Sequence, residues 1–197
     1  MTILTAQRWL TNAHLIEDVA QLGYLDGRVL DCTYGLGNFW TQYRPEQLIS
    51  CDLDTSDAQV RADFTSLPFA TEAFDAVMMD PPYKLNGTPD PAVDRRYGVH
   101  EPTRWQDRMT LIARGIPECA RALKPKGFFS LKCMDQVVSG RKIFQTDIFC
   151  EVAAWEGLTK VDRFDMLVTP RPQPKGRRQV HTQQNYSTLL VFQKEKA

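Results

Sequence analysis

The residues with the clearest chemical potential are Asp80-Pro81-Pro82-Tyr83. They follow the apolar run Phe74-Asp75-Ala76-Val77-Met78-Met79, which reads as a buried strand leading into a rigid turn. Pro82 has no N–H and a fixed φ, and Pro81 is held extended by the proline after it. The turn therefore offers a carboxylate, backbone carbonyls able to accept hydrogen bonds, and the Tyr83 ring. A carboxylate and a carbonyl beside an aromatic face suit a planar amine, such as the exocyclic NH2 of adenine.

A second group precedes it. Asp31-Cys32-Thr33-Tyr34-Gly35-Leu36-Gly37-Asn38 follows a short apolar strand, Arg28 to Cys32. Glycines at such a point let the backbone approach a ligand closely. The third glycine of a dinucleotide fingerprint is missing, because position 40 is Trp. Asp31 stands ahead of the glycines, where an acid would repel a pyrophosphate but hold a cationic amine. Asp52 closes a second strand, Gln47 to Cys51, and a carboxylate there suits two ribose hydroxyls, with Asp54 its rival. Asp63, followed by Phe64, lies in a loop that also holds Leu67.

Taken together these segments resemble the class I S-adenosylmethionine (SAM)-dependent methyltransferases, and among them the amino-methyltransferases of adenine N6 and cytosine N4. The likeness rests on the D-x-x-x-G-x-G pattern from Asp31 to Gly37, on Asp52 and Asp63, and on Asp80 to Tyr83. It covers residues 28–133 by motif and the rest by architecture. The resemblance implies SAM as cofactor, held by Asp31, Thr33, Gly35, Gly37, Asp52, Asp63 and Phe64, with Asp63 and Phe64 at the adenine. It implies catalysis by Asp80, Pro81, Pro82 and Tyr83, the tyrosine stacking on the target base.

The implied activity is transfer to an exocyclic base amine, adenine N6 in DNA first. An RNA base, at adenine N6 or guanine N2, is the alternative. Asp at position 80, where glutamine methyltransferases of release factors carry Asn, makes a protein glutamine substrate a lesser reading. A non-catalytic nucleic-acid-binding partner is a further one. The Pro-Cys nucleophile of cytosine C5 methyltransferases is absent at this turn.

The elements that must position these residues alternate between strand and helix. Segment 1–25 carries an amphipathic helix from Ala6 to Leu25, and Ser56 to Val60 a helical turn. Thr103 to Leu123 reads as a helix stopped by Lys124-Pro125-Lys126-Gly127, followed by a strand from Phe128 to Cys133. Lys142 to Trp155 reads as a helix, then Lys160 to Val168 and Ser187 to Gln193 as strands. The expectation is an α/β single-domain Rossmann-like fold over residues 1–197, mostly parallel, with an antiparallel final strand.

Two loops interrupt this order. Residues 84–102 form a substrate loop with Lys84, Arg95, Arg96 and Tyr97, and residues 169–186 a basic one with Arg171, Lys175, Arg177 and Arg178. Both could contact phosphates, giving salt-sensitive affinity without sequence reading. Trp105 and Tyr97 could stack on bases.

Composition narrows the partner classes. The chain has 197 residues, 43% hydrophobic and 24% charged, with a formal net charge of zero, which disfavours a generic polyanion binder. Charge is polarised instead: residues 46–80 hold eight acids and one base, and residues 166–194 five bases and no acid. No apolar run is long enough to span a bilayer, and no signal peptide is evident. Five scattered cysteines read as reduced thiols, so a cytoplasmic setting is expected, with no metal site. No segment forms a separate target-recognition domain, so a partner subunit could supply recognition.

Overall fold

The computed structural model describes residues 4, 9–54, 57–85, 104–167, 180–182 and 184–196. Its strands are β1 (Arg28–Asp31), β2 (Gln47–Asp52), β3 (Val60–Arg61), β4 (Phe74–Met79), β5 (Leu123–Cys133), β6 (Gln136–Val138), β7 (Arg141–Ile143), β8 (Leu158–Leu167) and β9 (Tyr186–Lys194). The helices are α1 (Asn12–Gln21), α2 (Trp105–Ala122) and α3 (Gln145–Trp155), with a 3-10 turn at Asn38–Trp40.

Seven strands form one sheet in the order β3-β2-β1-β4-β5-β9-β8, and β6 and β7 pair separately. β3, β2, β1, β4 and β5 are parallel, whereas β9 runs antiparallel to both of its neighbours. The expected α/β fold, a mostly parallel sheet with an antiparallel final strand, is what the chain adopts. β9 lies inside the sheet and β8 forms its edge.

The two faces of the central strands bury different partners. Val29, Ala76 and Met78 face α1, together with Leu189 and Val191. Leu30, Val77 and Met79 face α2 and α3, with Ile112, Ile116 and Phe149. Successive side chains alternate across the sheet, and both sides are apolar because helices cover both.

Several boundaries differ from the sequence reading. α1 ends at Gln21 because Gly23 turns left-handed at φ +84° and donates to the Ala20 carbonyl. Its expected first residues fall partly outside the described ones, and Trp9 lies ahead of the helix, with its indole N–H on Asp18 at 2.8 Å. Val60, expected in a helical turn, pairs with Cys51 as a strand. Lys124 to Gly127 ends α2 as expected, yet belongs to β5: β4 pairs with Leu123 and then with Phe128, and the intervening residues bulge out. Lys142 and Ile143 form β7, so the last helix starts only at Gln145. Ser139 and Gly140 both take positive φ, forming the two-residue turn that joins β6 to β7.

Candidate functional site

The parallel strands deliver their acids to one end of the sheet. Asp31 is the last residue of β1, Asp52 the last of β2, and Asp80 immediately follows β4. β1 lies between β2 and β4, where the strand order reverses, and ligands of open α/β sheets bind at this switch. A cavity of about 240 Å³ opens there. Asp31, Thr33, Gly35, Asp52, Asp63, Phe64, Asp80 and Pro82 all line it.

Asp31 is buried and held on both oxygens. Its Oδ1 accepts the Thr33 N–H at 3.0 Å, and its Oδ2 accepts the Trp40 indole N–H at 2.7 Å. Trp40 thus occupies the position of the missing third glycine and anchors the acid. Burial pushes the Asp31 carboxyl up to about 7; the Thr33 and Trp40 donors pull it down, and the neighbouring Asp80 and Asp52 charges push it up.

Asp52 accepts the Gly35 N–H at 2.8 Å on Oδ2 and the Asp54 N–H at 3.0 Å on Oδ1. Asp54 is exposed and serves that bond through its backbone, so the cavity-facing acid of this pair is Asp52. Gly35 has φ +54°, and a Cβ on it would meet no atom within 4 Å, so its backbone opens onto the cavity. Gly37 does not line the cavity. It has φ +70° and packs under Tyr34, whose hydroxyl would lie 2.5 Å from an added Cβ.

Asp63 closes a local turn by accepting the Thr65 N–H and hydroxyl, each at 2.8 Å on Oδ1. Phe64 lies against α2 at Gly115, where an added Cβ would stand 2.4 Å from the ring. A helix-interior glycine costs about 1 kcal/mol relative to alanine; here the missing side chain makes the space that seats Phe64. Leu67 is in the core, its N–H bonded to Glu118 Oε2.

The turn after β4 is held from two sides. The Asp80 N–H donates to Thr33 Oγ1 at 2.6 Å, joining it to β1. The Tyr83 N–H donates to the Pro81 carbonyl at 2.7 Å, a tight three-residue turn. The Tyr83 carbonyl accepts Nε2 of Gln136 and of Gln145, at 2.7 and 2.8 Å. The Tyr83 ring is partly buried, packs against the core cluster on the α2 and α3 face, and is not among the residues lining the cavity. Pro81 is engaged in the turn, so Asp80 and Pro82 are what the motif presents to the cavity. Asp80 Oδ1 is buried and has no hydrogen-bond partner. Burial raises the Asp80 carboxyl to about 6, while the Lys132 ammonium pulls it down.

The remaining substrate candidates separate. The Lys84 carbonyl accepts Arg108 Nη1 at 2.6 Å, and Lys84 does not line the cavity. Trp105 packs against the core. Arg95, Arg96, Tyr97, Arg171, Lys175, Arg177 and Arg178 lie outside the described residues. Among the described residues no group of three or more His, Cys, Asp or Glu could hold a metal ion, and no helix is long and apolar enough to cross a membrane. Sequence reasoning missed Trp40, Asn12, Gly115 and Lys132. Only Trp40 carried a signal, as a departure from the glycine pattern.

The two raised carboxyls dominate the pH response of the ligand-free protein, with Lys132, lowered by burial, acting against them. Unfolded, both titrate near 3.8; folded, they keep protons to about 7 and about 6. Between pH 4 and 7 the folded state binds more protons, so stability falls as pH rises. Asp75 and Glu118, lowered by Lys124 and Arg121, act oppositely and only near or below their ordinary range. We expect unfolding free energy, from denaturant melts, to drop by on the order of 2–4 kcal/mol between pH 5 and 8. Asp31→Asn should flatten that slope; a rise with pH across the window would contradict the assignment.

No protein-family model matches the sequence, and no curated protein matches it. Solved structures do. The N-methyltransferase NodS of Bradyrhizobium japonicum aligns over 93% of this chain and 94% of its own, at 13% identity and TM-score 0.54. A SAM-dependent methyltransferase of Methanosarcina mazei aligns over 89% and 97%, at 14% identity and TM-score 0.53. The cyclase SpnF aligns over 94% and 82%, at 16% identity and TM-score 0.56. At such identities the likeness is one of fold. The chain has the Rossmann-like fold of the class I SAM-dependent methyltransferases.

Proposed function

We propose that this protein is a SAM-dependent methyltransferase acting on an exocyclic amine of a nucleic-acid base, adenine N6 in DNA being the first candidate substrate. The observation that carries this reading is Asp80 Oδ1, a buried acceptor without a partner, in one cavity with Asp31, Asp52 and Asp63. An acidic, partly desolvated cavity suits a cation. It suits a dinucleotide pyrophosphate poorly.

The residues present fit SAM. In this reading Asp31 would hold the α-amino group, Asp52 the ribose hydroxyls, and Asp63 with Phe64 the adenine, all four lining the one cavity. When bound, SAM supplies a methyl group made transferable by its sulfonium. The protein positions and polarises. One oxygen of the Asp80 carboxylate accepts an N–H of the entering amine, which turns the nitrogen lone pair away from the base ring. The proton shed by the methylated nitrogen passes to the same oxygen or to water. A base inside a duplex must be flipped out to reach Asp80, which makes single strands and loops easier substrates. That cost keeps RNA, at adenine N6 or guanine N2, as the second reading, and a partner subunit is the proposed source of target recognition.

The test is a transfer assay with methyl-deuterated SAM against duplex DNA, total RNA and protein, read by mass spectrometry after hydrolysis. Labelled N6-methyldeoxyadenosine is the expected product. Labelled ribonucleoside moves the substrate to RNA, label only in protein overturns the nucleic-acid reading, and label nowhere, with cell extract added as a source of the partner subunit, overturns the activity. Asp80→Ala should still bind SAM and S-adenosylhomocysteine, with the preference for SAM reduced, and lose transfer by roughly 10²-fold or more. Turnover like wild type would remove Asp80 from the mechanism. Gly115→Ala should push Phe64 into the cavity and weaken binding of SAM and S-adenosylhomocysteine alike, by about tenfold in calorimetry. Unchanged affinity would show that the ring does not border the ligand.

A further inference from the structure

Lys132 is the least expected side chain in the molecule. It sits in β5 with no exposed surface. Its ammonium donates to Asn12 Oδ1 and approaches Met166 Sδ at 3.8 Å, with the Phe39 ring centroid 5.9 Å away. None of these neighbours is an anion. Burying an ammonium this way costs several kcal/mol, and a methionine of similar length would fill the space without that cost. A purely structural role therefore leaves the charge unexplained.

The arrangement places the charge behind the reacting end of the cavity. Asn12, at the start of α1, and Asp80, at the end of β4, both line the cavity. Lys132 engages the Asn12 carbonyl oxygen, so the Asn12 amide is fixed with its NH2 directed elsewhere. Met79 pairs with Leu131, so Lys132 stands level with Asp80 on the adjacent strand; burial disfavours the Lys132 ammonium and the Asp80 carboxylate supports it, while burial raises the Asp80 carboxyl and the ammonium lowers it. Asp80 Oδ1 still has no bonded partner, so the field reaches it without occupying it. A direct ion pair would occupy the acceptor that an incoming amine needs.

We infer that Lys132 is a positioning residue of the transfer site: from behind the cavity wall it orients Asn12 and supplies the positive field that holds Asp80 as an open, anionic acceptor. The inference rests on the proposed SAM-dependent activity. The described groups around Asp80 are Asp31 on β1, whose ionisation the Asp80 charge opposes, the neutral Thr33 hydroxyl, and Lys132 on β5. Those around Lys132 are Asn12, Phe39, Met166, Cys133 and Asp80. Among the described residues Lys132 is thus the cation that acts on Asp80.

The test needs no acceptor substrate. SAM and S-adenosylhomocysteine differ by the methyl and its sulfonium charge, so the ratio of their Kd values reads the charge facing that atom. Asp31 acts on the part the two ligands share and cancels. In the wild-type chain the preference for SAM should grow with pH as Asp80 ionises, through a midpoint set by its titration in the two complexes. In Lys132→Met, calorimetry from pH 5 to 9 should show that midpoint raised by about one to three pH units. Asn12→Asp, which gives the ammonium a carboxylate of its own, should move it the same way. It serves as the readout if Lys132→Met does not fold. Binding of both ligands with an unmoved midpoint overturns the role of Lys132 alone. Failure of the wild-type chain to bind either ligand overturns the proposed function and this inference with it.

Discussion

The site depends on burying two carboxylates at the adjacent ends of parallel strands β1 and β4. Register makes this possible. Asp31 pairs with Met78, so two residues on, Thr33 stands level with Asp80 and accepts its N–H at 2.6 Å. One side chain thereby locks the glycine-bearing loop to the Asp80 turn. Trp40 and the Thr33 backbone donate to Asp31 and offset part of its desolvation, while among the described residues Asp80 has a through-space cation and no donor on Oδ1. Both acids are left protonated more readily than ordinary carboxyls, and a cationic ligand is what would complete them.

The sheet makes that strain tolerable. Helices cover both faces of the central strands, so the strand ends carrying the acids are fixed by apolar packing independent of the site. Details of that packing also shape the cavity. Gly115 gives up helix propensity to seat Phe64, and Gln136 with Gln145 hold the Tyr83 carbonyl so that the turn keeps its form without a ligand. The β6–β7 hairpin and the start of α3 are in this sense the back support of the turn.

Much of this was legible in the sequence, for identifiable reasons. β1, β2 and β4 are short apolar runs ended by Asp, and β4 runs into two prolines that cannot continue a strand, so strand ends and acids could be read together. The antiparallel β9 followed from two strands joined without a helix. What was not legible depends on tertiary contact. Nothing local in Phe-Ser-Leu-Lys-Cys marks Lys132 as buried, because its environment comes from α1, the 3-10 turn and β8. The hold on the Tyr83 carbonyl comes from glutamines more than fifty residues away. Gly115 reads as a weak helix position until Phe64 is placed against it. The β6–β7 hairpin was missed because two three-residue strands carry too little periodicity.

The central claim is that the cavity's buried acids are completed by a cationic ligand. It is tested most directly by proton exchange on binding, measured as the calorimetric enthalpy of SAM binding near pH 6.5 in buffers of different ionisation enthalpy. Asp31 and Asp80, raised to about 7 and about 6, should ionise as SAM binds, releasing a substantial fraction of a proton per site. S-adenosylhomocysteine, which lacks the sulfonium charge, should release less. Binding of SAM with no proton release, or with net uptake, would contradict the account.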